Sequence, residues 1–333
     1  MSLIKRNERR VWLDLDELYP PPLEHPNTVF KSWSIAARAL GAGLSYVEIM
    51  GVSSAAFRIQ VGANLCPSSP HPHLGFDCGA VAQHAFGFEF RGRSCPQDDE
   101  DAVQEIRGMI RASIDEGRPV LLEEEETGLA VGYTLPDLAI LARHPYSGQG
   151  DEPAPLEHWP WMFAFPEGMP HEASREALWA SLSAAVESAS SDEEHGDGYL
   201  TGLAGYRRWI GDLLDDALLN REDVEAGAVV LGNAHIYYCL VDARRCATEY
   251  LRSLASRLPP DVGTRLAEAA STYGDITDAL TAGWNTFPWP QQLESASAWS
   301  RERRREQAAL LEGVADLERR AVTQIQSILV ART

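Results

Sequence analysis

Gly51-Val52-Ser53-Ser54-Ala55-Ala56-Phe57-Arg58 is a run of small and apolar residues, and Cys66-Pro67-Ser68-Ser69 follows it closely. Glycine, serine and proline at this density predict tight turns. Between the two runs, residues 57–61 have the apolar character of a strand. The sequence therefore predicts a compact turn that carries hydroxyl groups, a guanidinium and a thiol held by a proline.

Length and composition limit the class of protein. A chain of 333 residues predicts two domains, and its apolar fraction of 44% is ordinary for a globular protein. It lacks the apolar stretch of about 18 residues that a membrane span needs. Residues 1–10 are charged and no apolar signal core follows them. We therefore expect a cytoplasmic protein with no membrane partner.

The formal net charge of −20 argues against a nucleic-acid partner, because binding phosphate requires a basic surface. The basic run at 301–305 lies beside acids in a predicted helix, where a solvated face is the simplest interpretation. An acidic surface can attract a cationic substrate. The five cysteines are an odd number, and no secretion signal accompanies them, so a disulfide framework is not expected.

The order of predicted elements indicates an α+β domain followed by an all-α domain. Residues 1–26 predict an irregular lead-in, and Asn27 or Thr28 can cap a helix that runs to about Leu40. Three strands are predicted over 118–122, 128–135 and 138–143. We predict an α+β domain over 1–166, a linker or domain edge over 167–198, and a helical domain over 199–333.

Several short motifs carry a resemblance to a known fold. They are Leu40-Gly41, Leu44-Ser45-Tyr46, Ile49-Met50-Gly51, Gly117-Arg118-Pro119-Val120-Leu121-Leu122 and Ala130-Val131-Gly132-Tyr133. The first 165 residues resemble the papain-like fold of the bacteriocin-processing peptidases and of the group around butirosin biosynthesis protein H. The whole chain is similar to bacterial proteins that add a helical C-terminal region to this domain. The resemblance implies acyl transfer or amide chemistry on a small molecule in specialised metabolism.

The catalytic pattern of that family is not retained at the matching positions. The family's nucleophilic cysteine opens the first helix, where this chain has Thr28. Its histidine begins the strand at 128–135, which contains no histidine, and its orienting Asp or Asn follows the next strand, where this chain has His144. A conventional cysteine-histidine mechanism is therefore not expected. An enzyme with a rebuilt site and a catalytically dead pseudo-peptidase that binds a small molecule or peptide both stay open.

Three residues are candidates for catalysis. Cys66 is a candidate for a relocated nucleophile, although a structural loop or a metal site with nearby histidines would also explain it. Thr28 is a candidate hydroxyl nucleophile if His144 or His25 serves as its base, and a helix cap otherwise. His144 at the end of a strand is a candidate general base, with a hydrogen-bonded structural histidine as the alternative.

Four further residues are candidates for binding substrate. Ser53 and Ser54 would line the pocket, Arg58 would bind a carboxylate or a carrier phosphate, and Trp289 would stack on the ligand or pack in the core. The acid run 123–126 would attract an amine-rich substrate if it lies at the entrance of the site, and it is a solvated loop otherwise.

No cofactor is expected, because Gly-rich phosphate loops are absent. No metal is expected either, because the spacing of Cys66, His71, His73 and Cys78 matches no common zinc pattern. The expected partner is a small molecule that is cationic or carried on a carrier protein, and a homodimer stays open.

Overall fold

The computed structural model describes residues 3–15, 19, 25–147, 152–191, 194–195, 198–220, 225–289 and 299–332. It has a mixed α+β architecture with a helical C-terminal region. The chain divides into two compact units: Met1–Ile49 with Phe86–Glu172, and Met50–Ala85 with Ala173–Thr333. The predicted domain boundary at residue 166 stays a prediction. The two units meet near it in the sequence, at residues 172 and 173, and residues 50–85 belong to the second unit.

The strands of the described chain are short. They are β1 (Ile4–Arg6), β2 (Arg10–Leu13), β3 (Gln60–Val61), β4 (Phe88–Arg93), β5 (Val120–Glu123), β6 (Thr127–Thr134), β7 (Ile140–Arg143), β8 (Ala154–Pro155), β9 (Met162–Gly168), β10 (Glu194–His195) and β11 (Tyr199–Thr201).

The α-helices of the described chain lengthen toward its C-terminal part. They are α1 (Thr28–Ala39), α2 (Tyr46–Val52), α3 (Cys78–Phe86), α4 (Glu100–Asp115), α5 (Arg175–Ser190), α6 (Gly202–Leu214), α7 (Ala226–Arg257), α8 (Pro260–Ala282) and α9 (Arg301–Val330).

The first unit is built on an antiparallel sheet whose main path runs β1-β2-β6-β5-β9-β4, with β7 paired to β6 and β8 paired to β7. Strand β6 is the branch point, because it pairs with β2, β5 and β7. Its register against β7 shifts between Ala130 and Gly132. A Cβ at Gly132 would lie 2.5 Å from the carbonyl oxygen of Val11, so β2 can approach only a glycine here.

Helix α1 packs on β6 and fixes the position of Thr28. The side chain of Asn27 accepts a hydrogen bond from the main-chain N–H of Phe30 at 3.1 Å, so Asn27 is the N-cap and Thr28 is the first helical residue. The Trp33 ring lies 5.4 Å from that of Phe88 and anchors the helix against β4. The predicted start of this helix is confirmed, and the three strands predicted over 118–122, 128–135 and 138–143 are found as β5, β6 and β7.

The second unit packs helices α5 to α9 together with the small sheet β10-β11-β3. Helix α9 carries a buried stripe at helical spacing, with Val314, Ala321, Ile325 and Ile328 in the core. Arg244 of α7 is fully buried and forms an ion pair with Glu318 of α9. This pair places charge inside a core that is otherwise largely apolar.

Two stretches are more regular than the sequence predicts. The lead-in was expected to be irregular throughout, which is wrong: β1 and β2 lie in it, and β2 pairs with β6 along Arg10 to Trp12. The stretch 167–198, predicted to be a linker or edge, contains the sixteen residues of α5, which the Ser174 hydroxyl caps by accepting from the N–H of Ala177. Among the described helices, none is long and apolar enough to cross a membrane.

Candidate functional site

The hydroxyl of Thr28 lies in the first unit between two groups of the β5–β6 turn. Thr28 Oγ1 donates to Glu126 Oε2 at 2.7 Å and accepts from the main-chain N–H of Thr127 at 3.0 Å. The side chain is almost enclosed, with 4% of its surface exposed. A hydroxyl and a carboxylate are thus held within hydrogen-bond reach at the start of α1, where the positive end of the helix dipole lies.

Glu126 is the partner of Thr28 that sequence reasoning did not identify. Burial raises the pKa of its carboxyl, and the negative charge of Glu125 acts in the same direction, while the hydrogen bond from Thr28 opposes the shift. A raised pKa keeps this carboxyl protonated to a higher pH than an exposed glutamate. It also makes the ionised form a stronger base.

His144 follows β7 and contacts the same turn through the main chain of Glu126. Its Nδ1 accepts from the main-chain N–H of Tyr146 at 3.3 Å, and its Nε2 lies 3.0 Å from the carbonyl oxygen of Glu126. A carbonyl can only accept, so the Nε2 atom carries the proton and donates it. The His144 ring therefore positions the backbone of Glu126.

A chain of buried hydroxyls lies behind this turn. The Ser32 hydroxyl donates to the carbonyl of Thr127 at 3.1 Å, and the Tyr19 hydroxyl lies 2.5 Å from Ser32 Oγ. The Thr127 hydroxyl in turn donates to Glu123 Oε2 at 3.1 Å. Because the single hydrogen of the Ser32 hydroxyl is donated to Thr127, the Tyr19 hydroxyl is the donor to Ser32. These bonds fix the N–H of Thr127 that Thr28 uses.

The predicted bases for Thr28 occupy other positions. His144 contacts the main chain of Glu126, as described above, and the His25 ring lies against Tyr46 with centroids 4.2 Å apart. The structure therefore brings Thr28 and His144 to the same turn, with Glu126 between them. The acid run 123–126 was the available signal, but its sequence indicated a charged loop or an attractive surface for amines and did not indicate a base for Thr28.

Arg58 organises a loop of the second unit. Its guanidinium donates to the carbonyl oxygens of Leu74, Phe76, Pro70 and His71 at 2.7 to 3.0 Å. Four of its five N–H groups are used in this way. The predicted role in binding a carboxylate or phosphate stays a prediction, and it would require these bonds to break.

Ser53 and Ser54 are fully buried in the second unit. The Ser53 hydroxyl donates to the carbonyl of Met50 at 3.2 Å and accepts from the N–H of Ala55 at 3.3 Å, as expected for a turn-forming serine. Ser54 adopts a left-handed conformation with a φ of 64°, and its hydroxyl lies 4.0 Å from the sulfur of Cys78. The predicted role of both residues in lining a substrate pocket stays a prediction.

Cys66 ends a short 3-10 helix over Ala63–Leu65 and is partly exposed. Its sulfur lies 3.7 Å from the hydroxyl oxygen of Tyr199. The predicted role of Cys66 as a relocated nucleophile stays a prediction. Within the described ranges, no three side chains of His, Cys, Asp or Glu converge as a metal site would require.

Trp289 belongs to an aromatic cluster of the second unit with Tyr238, Trp284 and Phe287. Its ring centroid lies 5.7 Å from that of Tyr238, 6.1 Å from Trp284 and 6.0 Å from Phe287. The rings meet mainly edge to face, which is the arrangement of a packed aromatic core. A stacking role for Trp289 stays a prediction.

Comparison with known proteins gives this chain no assignment: no protein-family description matches it, and no curated protein matches it significantly.

Proposed function

We propose that the protein is an atypical enzyme of the papain-like fold that transfers an acyl group or acts on an amide bond of a small molecule. In this proposal Thr28 is the nucleophile and Glu126 is its general base. The supporting observation is the 2.7 Å hydrogen bond from Thr28 Oγ1 to Glu126 Oε2. A threonine hydroxyl is a weak nucleophile, and a base within hydrogen-bond reach is what it needs to react.

The proposed reaction begins when the Thr28 oxygen attacks the carbonyl carbon of the acyl donor and its proton passes to Glu126. The bond from that carbon to the leaving group then breaks, and Glu126 gives the proton to the leaving group. An acceptor amine or water next attacks the threonine ester, which releases the acylated product and restores the hydroxyl. A base works best when its pKa lies near the operating pH, and burial raises the pKa of Glu126 in that direction.

The positions of the three residues support the papain-like comparison. The resemblance implies a nucleophile at the start of the first helix, a base at the start of the strand 128–135, and an orienting residue after the next strand. Thr28 begins α1, Glu126 immediately precedes β6, and His144 immediately follows β7. In the proposal these residues stand where cysteine, histidine and an Asp or Asn would stand.

The surrounding charge favours an amine as the acyl acceptor. Glu124 and Glu125 lie on the same turn as Glu126, Glu125 is exposed, and the whole chain carries a net charge of −20. Such a turn attracts a cationic small molecule. The acyl donor in this proposal is an activated ester or thioester, such as an acyl group on a carrier protein.

A reactive ester tests the proposal without knowledge of the natural substrate. Incubation with p-nitrophenyl acetate, followed by proteolysis and peptide mass mapping, should place an acetyl group on the peptide that contains Thr28. Thr28→Ala should lose this label, whereas Thr28→Ser and Cys66→Ala should retain it. An acetyl group found only on the Cys66 peptide, or retained at full level in Thr28→Ala, would contradict the assignment.

A pseudo-peptidase that binds a small molecule or peptide is the second candidate. The observation that favours it is the enclosure of Thr28, whose hydroxyl both donates and accepts a hydrogen bond and is only 4% exposed. In that case p-nitrophenyl acetate leaves the Thr28 peptide unlabelled, and Thr28→Ala only lowers the free energy of unfolding. The labelling experiment therefore separates the two candidates.

A further inference from the structure

Strand β4 forms one end of the sheet of the first unit and leaves an edge open. Of the described strands, only β9 pairs with it, along Phe88–Arg93. Within the described ranges, no main-chain hydrogen bond joins the other edge of β4 to any segment. Gly92 has no side chain and is exposed, so main-chain atoms of β4 reach the surface. A row of unpaired N–H and C=O groups can pair with a further strand.

The side chains of β4 alternate between the two faces of the sheet. Phe88 and Phe90 lie on the face of α1, where the Phe90 ring is 5.2 Å from that of Trp33. Phe88 is buried, whereas Phe90 is only half-buried. Glu89 and Arg91 lie on the opposite face and are exposed. The open edge therefore combines a partly uncovered aromatic ring with one charge of each sign.

The exposed face of β4 and β9 places two acids side by side. Glu89 lies directly opposite Glu167 in the β4–β9 register, and like charges at such positions are destabilising. Arg91 Nη1 lies 3.5 Å from Glu167 Oε1, in an exposed ion pair that contributes little. A second positive charge beside Glu89 would therefore be stabilising. A second copy of β4 can supply that charge, because the strand carries two arginines and one glutamate in a chain of net charge −20.

We propose that two copies of the chain pair through β4, antiparallel and related by a twofold axis between their Phe90 residues. In this register Glu89 of each copy lies opposite Arg91 of the other, and the two Phe90 side chains face each other. Directly opposite residues of antiparallel strands have Cα atoms about 4.5–5.5 Å apart, which allows ion pairs and aromatic contact. Registers shifted by two residues would instead oppose Glu89 to Glu89 or Arg91 to Arg91. The charges therefore select this register.

Sedimentation velocity of the full chain over a range of concentrations tests the pairing. Two short strand edges bury less area than a standard interface, so we expect a reversible dimer with a dissociation constant on the order of 0.1 mM. Glu89→Arg and Arg91→Glu each oppose like charges, and each should weaken dimerisation by about tenfold. Arg93→Glu is the matched control for the charge change. In the proposed register Arg93 lies opposite Gly87, so this variant should dimerise as the wild type does.

Exchange of the two charges makes the test specific for this register. An equimolar mixture of the Glu89→Arg and Arg91→Glu chains should form a heterodimer, because two arginines of one copy then face two glutamates of the other. Its formation also shows that both variants are folded. The double variant Glu89→Arg/Arg91→Glu should recover self-association.

Three results would overturn the proposal. A wild-type chain that is monomeric at every concentration would leave the edge of β4 to a strand of another protein or to solvent. Unchanged dimerisation in both single variants would place the interface elsewhere on the chain. A mixture of the two variants that associates no better than either variant alone would contradict the pairing of Glu89 with Arg91.

Discussion

His144 donates from Nε2 to the main-chain carbonyl of Glu126 at 3.0 Å, so the residue after β7 holds the turn before β6. His144→Ala would leave this partly buried carbonyl without its donor, and we expect the free energy of unfolding to fall by about 1–3 kcal/mol. Urea unfolding measures the change. The exposed His158→Ala is the control, and an equal loss in both variants would contradict the positioning role.

Gly128 allows the close approach of His144 to β6. A Cβ at this position would lie 2.6 Å from His144 Cδ2 and 2.9 Å from the carbonyl oxygen of Arg143, so the ring or the strand must shift. We expect Gly128→Ala to lower the free energy of unfolding by about 1–3 kcal/mol. Gly108→Ala, in α4 with open space around it, should instead raise it by about 0.5–1 kcal/mol. Thermal unfolding should therefore give changes of opposite sign in the free energy of unfolding for the two variants. A change of the same sign in both would contradict the packing described for Gly128.

The pH dependence of stability reports on the partly buried carboxyl of Glu126. Its pKa is raised from the ordinary 4.5, so between 4.5 and the raised value the folded protein holds more protons than the unfolded chain. Stability from this group therefore declines as pH rises through that window. Glu126→Gln has no such proton to lose, so its stability relative to the wild type should improve across the same window. Urea titrations at several pH values measure this difference.

The neighbouring Glu125→Gln serves as the control for that titration. Glu125 is exposed, and its substitution should change the pH dependence much less than Glu126→Gln does. The stability difference between Glu126→Gln and the wild type could instead be independent of pH or change in the opposite direction. Either result would contradict the raised pKa of the Glu126 carboxyl.

Arg244 and Glu318 form a buried ion pair in which each charge compensates the other. Arg244 Nη1 also donates to the carbonyls of Ala56 at 2.9 Å and Arg58 at 3.2 Å. Arg244→Met leaves the Glu318 charge uncompensated, and we expect it to lower the free energy of unfolding by about 3–5 kcal/mol. The double variant Arg244→Met/Glu318→Leu should recover much of this loss. Arg319→Met, in an exposed ion pair with Asp316, should lower it by about 1 kcal/mol or less.

Local signals in the sequence predicted much of the first unit. Asn27 caps α1 as expected, and the strands around 120–123, 127–134 and 140–143 form where apolar runs indicated them. Strands β1 and β2 were missed because they are only three and four residues long. Strand β2 pairs with β6, far along the chain, and β1 pairs with β2. Helix α5 was missed because its surroundings are rich in serine and acids.

The candidate site shows the same limit. Thr28 and His144 could be chosen from their positions in the predicted elements, but the bond between Thr28 and Glu126 joins residues 98 positions apart. Nothing local distinguishes Glu126 from the other members of the run 123–126. Likewise, Arg58 could be selected from the sequence as a candidate binding residue. Its four carbonyl partners could not, because they depend on the folded loop of residues 70–76.

The most direct test of the central claim is the rate at which p-nitrophenyl acetate acetylates Thr28 in the wild type, Glu126→Gln and Glu125→Gln. If Glu126 is the general base, Glu126→Gln should slow acetylation by about 100-fold or more. Glu125→Gln and the wild type should react at similar rates, and Thr28→Ser should remain reactive. Equal rates in Glu126→Gln and the wild type, with Thr28 acetylated in both, would contradict the account.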